Sequence, residues 1–470
     1  MRTKLKQWAG MAALVLGAAG CMVGPDHSAP NARVPADWEQ PLAGGVGTNA
    51  PAAGAQWWRE FQDPKLSALV ARAFATNLDL RIAETRVRQA RAQAGMAEGD
   101  LGPVVRTTGG AERERWARNG FPPLPPYVAS PETDLYTAGF DASWEIDVFG
   151  GRRRAREAAR AGVAAQELGR ADARVSLVAE VARNYVAVRA AQRQLLLAAE
   201  QIRAQEETVT VTKGRVDQGA ATDLDWQRAR ALLAALKGQV PRWETSRDSA
   251  VHRLGVLLDA SPGALASELA EPVVLPGELP VVPAGLPSDL LKRRPDLRRA
   301  ERQLAAETAR IGQARADWFP KFFLTGTAGL TSVSGTDLFE PGSRMWSIGP
   351  SVQWRIFDYG RVRSQVRAQR AVADQAGLAY EQAVLNALED VANALTAYAK
   401  EQEHRHWLAE AVAADEQAVG LAQKLYANGL GNYLMLLDAQ RTLYSAQADL
   451  VASESAVATD YVALQKALGR

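Results

Sequence analysis

Cysteine is almost missing from this chain. There is one in 470 residues, Cys21, so neither an intrachain disulfide framework nor a cysteine-rich metal site can be built. Histidine is scarce as well: four residues leave little material for a histidine-based metal centre. An excess of one charge is also lacking. Lys+Arg number 55 and Asp+Glu 53, a formal charge of +2, which argues against a dedicated nucleic-acid binder. Long apolar runs are absent beyond the first 23 residues. No later stretch reaches the roughly 20 apolar residues of a spanning helix, which excludes an inner-membrane helical transporter. What is there, 47% hydrophobic and 23% charged residues, suits a folded chain rather than a disordered polymer.

The exceptional apolar run reads as an address. Arg2, Lys4 and Lys6 precede Trp8, and small apolar residues continue to Gly20. A basic head, a short apolar middle and small residues before a cut describe a bacterial signal peptide, here 1–20. Ala18, Ala19 and Gly20 before Cys21 resemble a lipobox, with Ala18 where leucine is usual. A covalent lipid on Cys21 is therefore expected, at about 0.8 kcal/mol of membrane affinity per buried CH₂. The alternative is a leftover cysteine behind an ordinary signal. Met22 stands where Asp would signal inner-membrane retention, which fits outer-membrane sorting.

The body is written twice. Trp144-Glu-Ile-Asp-Val-Phe-Gly-Gly-Arg152 returns as Trp354-Arg-Ile-Phe-Asp-Tyr-Gly-Arg361. Further on, the offset is a steady 210 residues: Gln192, Ala199, Glu206 and Gly219 recur as Gln402, Ala409, Glu416 and Gly429. Upstream it is 217, matching Asp79-Leu80-Arg81 to Asp296-Leu297-Arg298 and Pro103 to Pro320. After an N-terminal segment, 21–76, the repeats fall at 77–258 and 288–468, with a proline-rich linker at 259–287. Each repeat predicts a helix (77–99; 288–317), a strand pair (103–116 with 135–148; 320–332 with 345–357), a very long helix (151–214; 360–427), a glycine turn and a second long helix (222–258; 432–468). A seven-residue apolar stripe, Val181, Val188, Leu195, Ile202, Val209 and Val216, implies coiled-coil packing. Pro241 predicts a kink or break in the return helix.

The strands alternate. Tyr136, Ala138, Phe140, Ala142, Trp144 and Ile146 share one face, with Thr137, Asp141, Ser143 and Glu145 on the other. Trp346, Ile348, Pro350, Val352, Trp354 and Ile356 repeat the pattern. Strand one is interrupted by Arg106 and Arg113. Trp116, Trp144, Trp318, Trp346 and Trp354 sit near strand ends, where interfacial aromatics belong. Such strands suit a transmembrane barrel with a wet lumen, or a soluble sheet lying on helices; the signal peptide and the duplication favour the barrel. Four strands cannot close a barrel around water, and open edges in lipid are costly. Three copies would supply twelve strands. The expected fold is thus mainly α with a small transmembrane β part: a trimeric twelve-stranded barrel continued by a long α-helical periplasmic tunnel.

Cys21-Met-Val-Gly-Pro-Asp-His27, Arg293-Arg-Pro-Asp-Leu297, Ala316-Asp-Trp-Phe-Pro320 and Leu437-Asp-Ala-Gln-Arg441 resemble the NodT-type lipoproteins. These are TolC-like outer-membrane efflux proteins of resistance–nodulation–division systems. His27 stands where Tyr is common. The resemblance spans 21–468. It implies a homotrimeric passive duct for small molecules, docked to a periplasmic adaptor and an inner-membrane RND transporter. It places a gate at the helical tip, where Leu434 and Asp438 lie four apart and so on one helical face. In three copies they would form an apolar ring and an acidic ring. The turns at Gly219 and Gly429 would meet the adaptor, whose binding would favour the open arrangement.

No catalytic residue, metal site, cofactor or nucleic-acid surface is expected. His404 and His406, two apart on a helix, point to different sides. Asp223 and Asp225 read as helix-start acids. Gly150-Gly151 followed by Arg152, Arg153 and Arg154 reads as a strand-to-helix corner rather than a phosphate site, with the arginines at the membrane interface. Two rival functions are the exit duct of a type I protein-secretion system and a poreless, lipid-anchored periplasmic coiled-coil scaffold.

Overall fold

The computed structural model describes residues 22–38, 46–47, 56–117, 132–274 and 281–470. Cys21, the signal peptide and most of the loop between the first two long strands lie outside them. In chain order the elements are β1 (Val46–Gly47), α1 (Pro64–Thr76), α2 (Leu78–Gly99), β2 (Val104–Arg115), β3 (Glu132–Ile146), α3 (Gly151–Asp217), α4 (Asp223–Leu257), β4 (Val282–Pro283), α5 (Pro295–Ala316), β5 (Lys321–Ser332), β6 (Arg344–Gln353), α6 (Arg361–Ala427) and α7 (Tyr433–Ala467). No described helix is long and apolar enough to cross a membrane.

The chain divides into two compact units. One comprises the described residues within 22–30, Val87–Gln166 and Ala300–Tyr380. It holds a four-stranded antiparallel sheet in the order β2-β3-β5-β6. Its register puts Phe140 opposite Ala328 and Ala328 opposite Trp346, and sets Trp144, Leu324 and Pro350 in line. The predicted apolar face is therefore continuous across three strands. It is also uncovered in the chain: Phe140, Ile348 and Trp346 are 62, 69 and 77% exposed. The two arginines of β2 are explained by register. Arg106 faces Asp141 on the polar side. Arg113 falls on the apolar side, but at the end of the strand farthest from the helices that flank the sheet in sequence, where it pairs with Glu132 at 3.0 Å. Trp144, Trp318 and Trp354 cluster at one end of the strands and Trp116 and Trp346 at the other, giving two aromatic levels. β3 starts at Glu132 and leaves the sheet after Ile146, two residues before the expected end. β6 stops at Gln353 rather than 357.

In the other unit, Asn31–Arg86, Glu167–Arg299 and Glu381–Arg470, most described residues are helical, and β1 and β4 form a two-residue parallel pair. The predicted helix at 288–317 is split: proline disfavours a helical residue before it, Arg294 is extended, and α5 restarts with Pro295 at its first position. Arg294 then grips Asp296 through two bonds of 3.1 and 2.8 Å and reaches Asp390 at 3.1 Å and the Ala467 carbonyl at 3.1 Å. The Arg293–Leu297 segment is thus a structural clamp on the ends of neighbouring helices.

Two expectations about the long helices need correction. α4 runs through Pro241 without a break. Lys237, Gly238 and Pro241 all lie on an exposed face, where water can satisfy the carbonyl that proline leaves unpaired. The apolar stripe holds only in part. Val181 and Val188 are buried, but Leu195, Ile202, Val209 and Val216 are half-buried. Leu197 and Ala198 are buried there, and with them the polar Gln194, Gln201, Gln205 and Thr212. The glutamines donate to the carbonyls of Ala448 (2.9 Å), Tyr444 (3.4 Å) and Ala229 (3.0 Å), so their burial leaves no amide donor stranded.

Candidate gate at the helical turns

The two turns joining the long helices are built alike. In each, a glycine takes a left-handed backbone, φ +70° at Gly219 and +72° at Gly429. Gly219 N donates to Val216 O and Ala220 N to Arg215 O; Gly429 N donates to Tyr426 O and Leu430 N to Leu425 O. This is the glycine C-cap motif that satisfies the last carbonyls of a helix. The next helix then starts on a side-chain cap. Thr222 Oγ1 accepts from Asp225 N at 3.3 Å, and Asn432 Oδ1 accepts from Met435 N at 3.0 Å. Asp225 returns the bond to Thr222 N, which accounts for one of the helix-start acids.

α7 buries one side at the turn. Tyr433, Leu436 and Leu437 pack with Ala229, Leu232, Leu236, Ala422 and Tyr426. Burial pushes the Tyr433 hydroxyl up to about 12. Gln440 is fully covered and donates to Thr208 Oγ1 at 3.1 Å. Leu434 and Asp438 project from the other side: Leu434 is 53% exposed and Asp438 is exposed. Neither is consumed by packing within the chain, so an apolar and an anionic side chain are left one helical turn apart.

Sequence reasoning missed the residues that join the turns. Arg215 on α3 donates from Nη1 to the Tyr426 carbonyl on α6, and its guanidinium lies 4.4 Å from the Tyr426 ring centre. The available signal was a departure from the repeat: Arg215 and Tyr426 correspond to Leu425 and Val216. Trp226 is likewise covered by two cations, Lys213 at 5.0 Å and Arg230 at 4.9 Å.

The other singled-out residues pair locally. His404 approaches Glu401 at 3.3 Å and His406 approaches Glu410 at 3.7 Å, so they do not converge. Among the described residues no group of three or more metal-ligating side chains forms. The arginines after Gly150 are engaged too: Arg152 bonds Glu145 at 2.8 Å, Arg153 bonds Asp147 at 3.4 Å and Arg154 bonds Asp26 at 2.7 Å. Burial opposes the charge on Arg152, yet its bonds to Glu145 and the nearby Asp100 raise its pKa overall.

The sequence pattern of the family described as "Outer membrane efflux protein" matches the chain twice, at residues 69–259 and 286–470. The chain belongs to the outer membrane efflux protein family. The relatives agree. It is 34% identical to the antibiotic efflux pump outer membrane protein ArpC of Pseudomonas putida, over 97% of this chain and 93% of that protein. It is 30% identical to nodulation protein T of Rhizobium leguminosarum bv. trifolii, over 96% and 94%. The solved outer-membrane channel OprN superposes with a TM-score of 0.88 at 36% identity, covering 96% of this chain and 99% of that one. This efflux protein works in the outer membrane, and the resemblance to NodT-type proteins read from its motifs stands.

Proposed function

We propose that three copies of this efflux protein close a single twelve-stranded barrel and form a passive, gated duct. The duct carries small molecules from a periplasmic adaptor and an inner-membrane RND transporter to the exterior. The observation that carries the reading is the sheet: four antiparallel strands with one apolar face uncovered and with β2 and β6 as its edges. Unpaired backbone at such edges costs several kcal/mol per group in lipid, and neighbouring copies would pair it. The polar face, with Arg106, Asp141 and Glu145, would line the water-filled side.

In this reading Leu434 and Asp438 are the gate. Three leucines around one axis resist wetting, and three carboxylates attract cations and repel anions. The adaptor engages the Gly219 and Gly429 turns and shifts the population towards the open form by binding energy alone. The chain does no chemistry; energy comes from the pump. A lipid on Cys21 holds the N-terminus in the outer membrane. The relatives support small-molecule export, since one is named as an antibiotic efflux component.

The test is conductance in planar bilayers, wild type beside Leu434→Ala/Asp438→Ala. A small, flickering wild-type current that becomes large and stable in the variant supports duct and gate together. A large current in both keeps the duct and removes the gate. No current from folded, inserted protein removes the duct.

A further inference from the structure

The segment immediately after Cys21 is held by contacts that the duct does not require. Val23 N donates to Phe149 O at 3.1 Å, at the corner between β3 and α3. Arg154, in the first turn of α3, is 1% exposed and turns its fork onto the same segment. Its Nε donates to Val23 O at 3.2 Å, and Nη2 reaches Gly24 O at 3.4 Å and Asp26 Oδ1 at 2.7 Å. Among the described residues the only other side-chain partner is Glu157, at 2.8 Å from Nη1. Without residues 22–26 the guanidinium would lose three of these four bonds.

Three glycines make the approach possible. Gly24 has φ +105°, and a Cβ there would lie 2.3 Å from Gly312 Cα on α5. A Cβ on Gly312 would lie 2.6 Å from Val23 O. A Cβ on Gly150, whose φ is +79°, would lie 2.7 Å from Met22 Cγ. No real side-chain carbon sits that close, so each position requires glycine while the segment is in place.

The duplication supplies an internal control. By the two offsets, Gly150 corresponds to Gly360 and Gly312 to Gly95. Gly360 has the same left-handed backbone, φ +82°, yet a Cβ on either Gly360 or Gly95 would meet nothing within 4 Å. Arg154 corresponds to Ser364. Gly150 and Arg154 belong to the first repeat and Gly312 to the second, so the crowding and the arginine mark the place where the single N-terminal segment lies and are missing from the counterparts Gly360, Gly95 and Ser364.

We propose that Gly150, Arg154 and Gly312 form a receptor for residues 22–26 of the same chain, fixing the residues next to Cys21 at the β3–α3 corner. With Cys21 acylated, a point that rests on the reading above, the lipid would be positioned at that corner instead of trailing on a free tether. Arg154 is a positioning residue: it acts through the segment's carbonyls. Downstream, His27 Nε2 lies 3.6 Å from Glu301 Oε1, extending the contact by one more residue.

The experiment is hydrogen exchange with mass spectrometry on the purified full-length protein in detergent, with intact N-terminal mass read on the same samples. Wild type should show a protected Val23 amide. Gly24→Ala and Arg154→Lys should each speed its exchange by about tenfold or more, with α3 peptides from 181–210 unchanged. Gly24 lies in no helix or strand, so its variant leaves the helices intact. Unchanged Val23 protection in both variants, or free-chain exchange in wild type, would overturn the receptor. So would loss of α3 protection in Gly24→Ala, because the segment would then be a global folding element. A protected Val23 on an unacylated chain would remove the lipid reading and keep the receptor. An acylated chain with unprotected Val23 would do the reverse.

Discussion

Arg215 and Tyr426 tie the two helical turns together: the guanidinium covers the ring at 4.4 Å and donates to the tyrosine's own carbonyl. One contact thus joins the last turn of α3 to the last turn of α6. A cation–π contact contributes about 0.5–1 kcal/mol, and a hydrogen bond from a charged donor about 1.5–3 kcal/mol. The sum is of the size needed to bias a closed-to-open population by about one and a half to three orders of magnitude. Arg215→Ala should lengthen open dwell times in single-channel recordings without changing the fully open conductance. Lys400→Ala, which removes an exposed pair with Glu403 at 2.8 Å away from the turns, should change little.

Gly429 tests whether the turn itself matters. Its φ of +72° costs an ordinary L-residue about 1–2 kcal/mol, while Asn tolerates it. A Cβ there would come no closer than 4.0 Å to Arg215 Nη2, so the penalty is conformational and not steric. Gly429→Ala should raise hydrogen exchange in 425–434, and Gly429→Asn should restore most of the protection. Equal exchange in all three proteins would show that the left-handed cap is dispensable.

The sheet was legible because two signals reinforced each other. Period-two alternation put Phe140 and Trp346 on one face, and the duplication repeated the pattern at the same spacing. β2 looked defective only until register set Arg106 opposite Asp141 and the fold paired Arg113 with Glu132. The helical seam was less legible. Gln194, Gln201 and Gln205 score as polar, yet each is buried because a neighbouring backbone or side-chain oxygen accepts its amide. Leu434 and Asp438 were reached by family likeness and spacing; their exposure came only with the fold. The Arg154 receptor was invisible, since its partners are more than a hundred residues apart and no local pattern links them.

Asp296 carries a pH signature. Burial pushes its carboxyl up, but the two bonds and the charge of Arg294 outweigh this and hold it below the ordinary value of 3.8. A carboxylate depressed in the folded state contributes stability above its unfolded pKa and loses it as pH falls through the folded value. Asp296→Asn should therefore destabilise the helical unit at neutral pH, by urea unfolding followed with circular dichroism. The gap to wild type should stay constant from pH 7 to about 5 and close below about 4. A gap that widened in acid would mean that burial, not Arg294, dominates this site.

The faces of the sheet predict opposite responses to the same substitution. Phe140 projects from the apolar face and is 62% exposed in the chain; Thr327 lies on the polar face, in register with Asp141 and Ser347. An arginine facing lipid near mid-membrane costs about 2–4 kcal/mol per copy, and three copies multiply the penalty. Phe140→Arg should therefore sharply reduce the heat-resistant trimer recovered from outer membranes. Thr327→Arg should leave assembly intact, because its side chain stays in water, while three added cations lower the preference for cations over anions in bilayer reversal potentials. If Thr327→Arg blocked insertion and Phe140→Arg did not, the assignment of the two faces would be reversed.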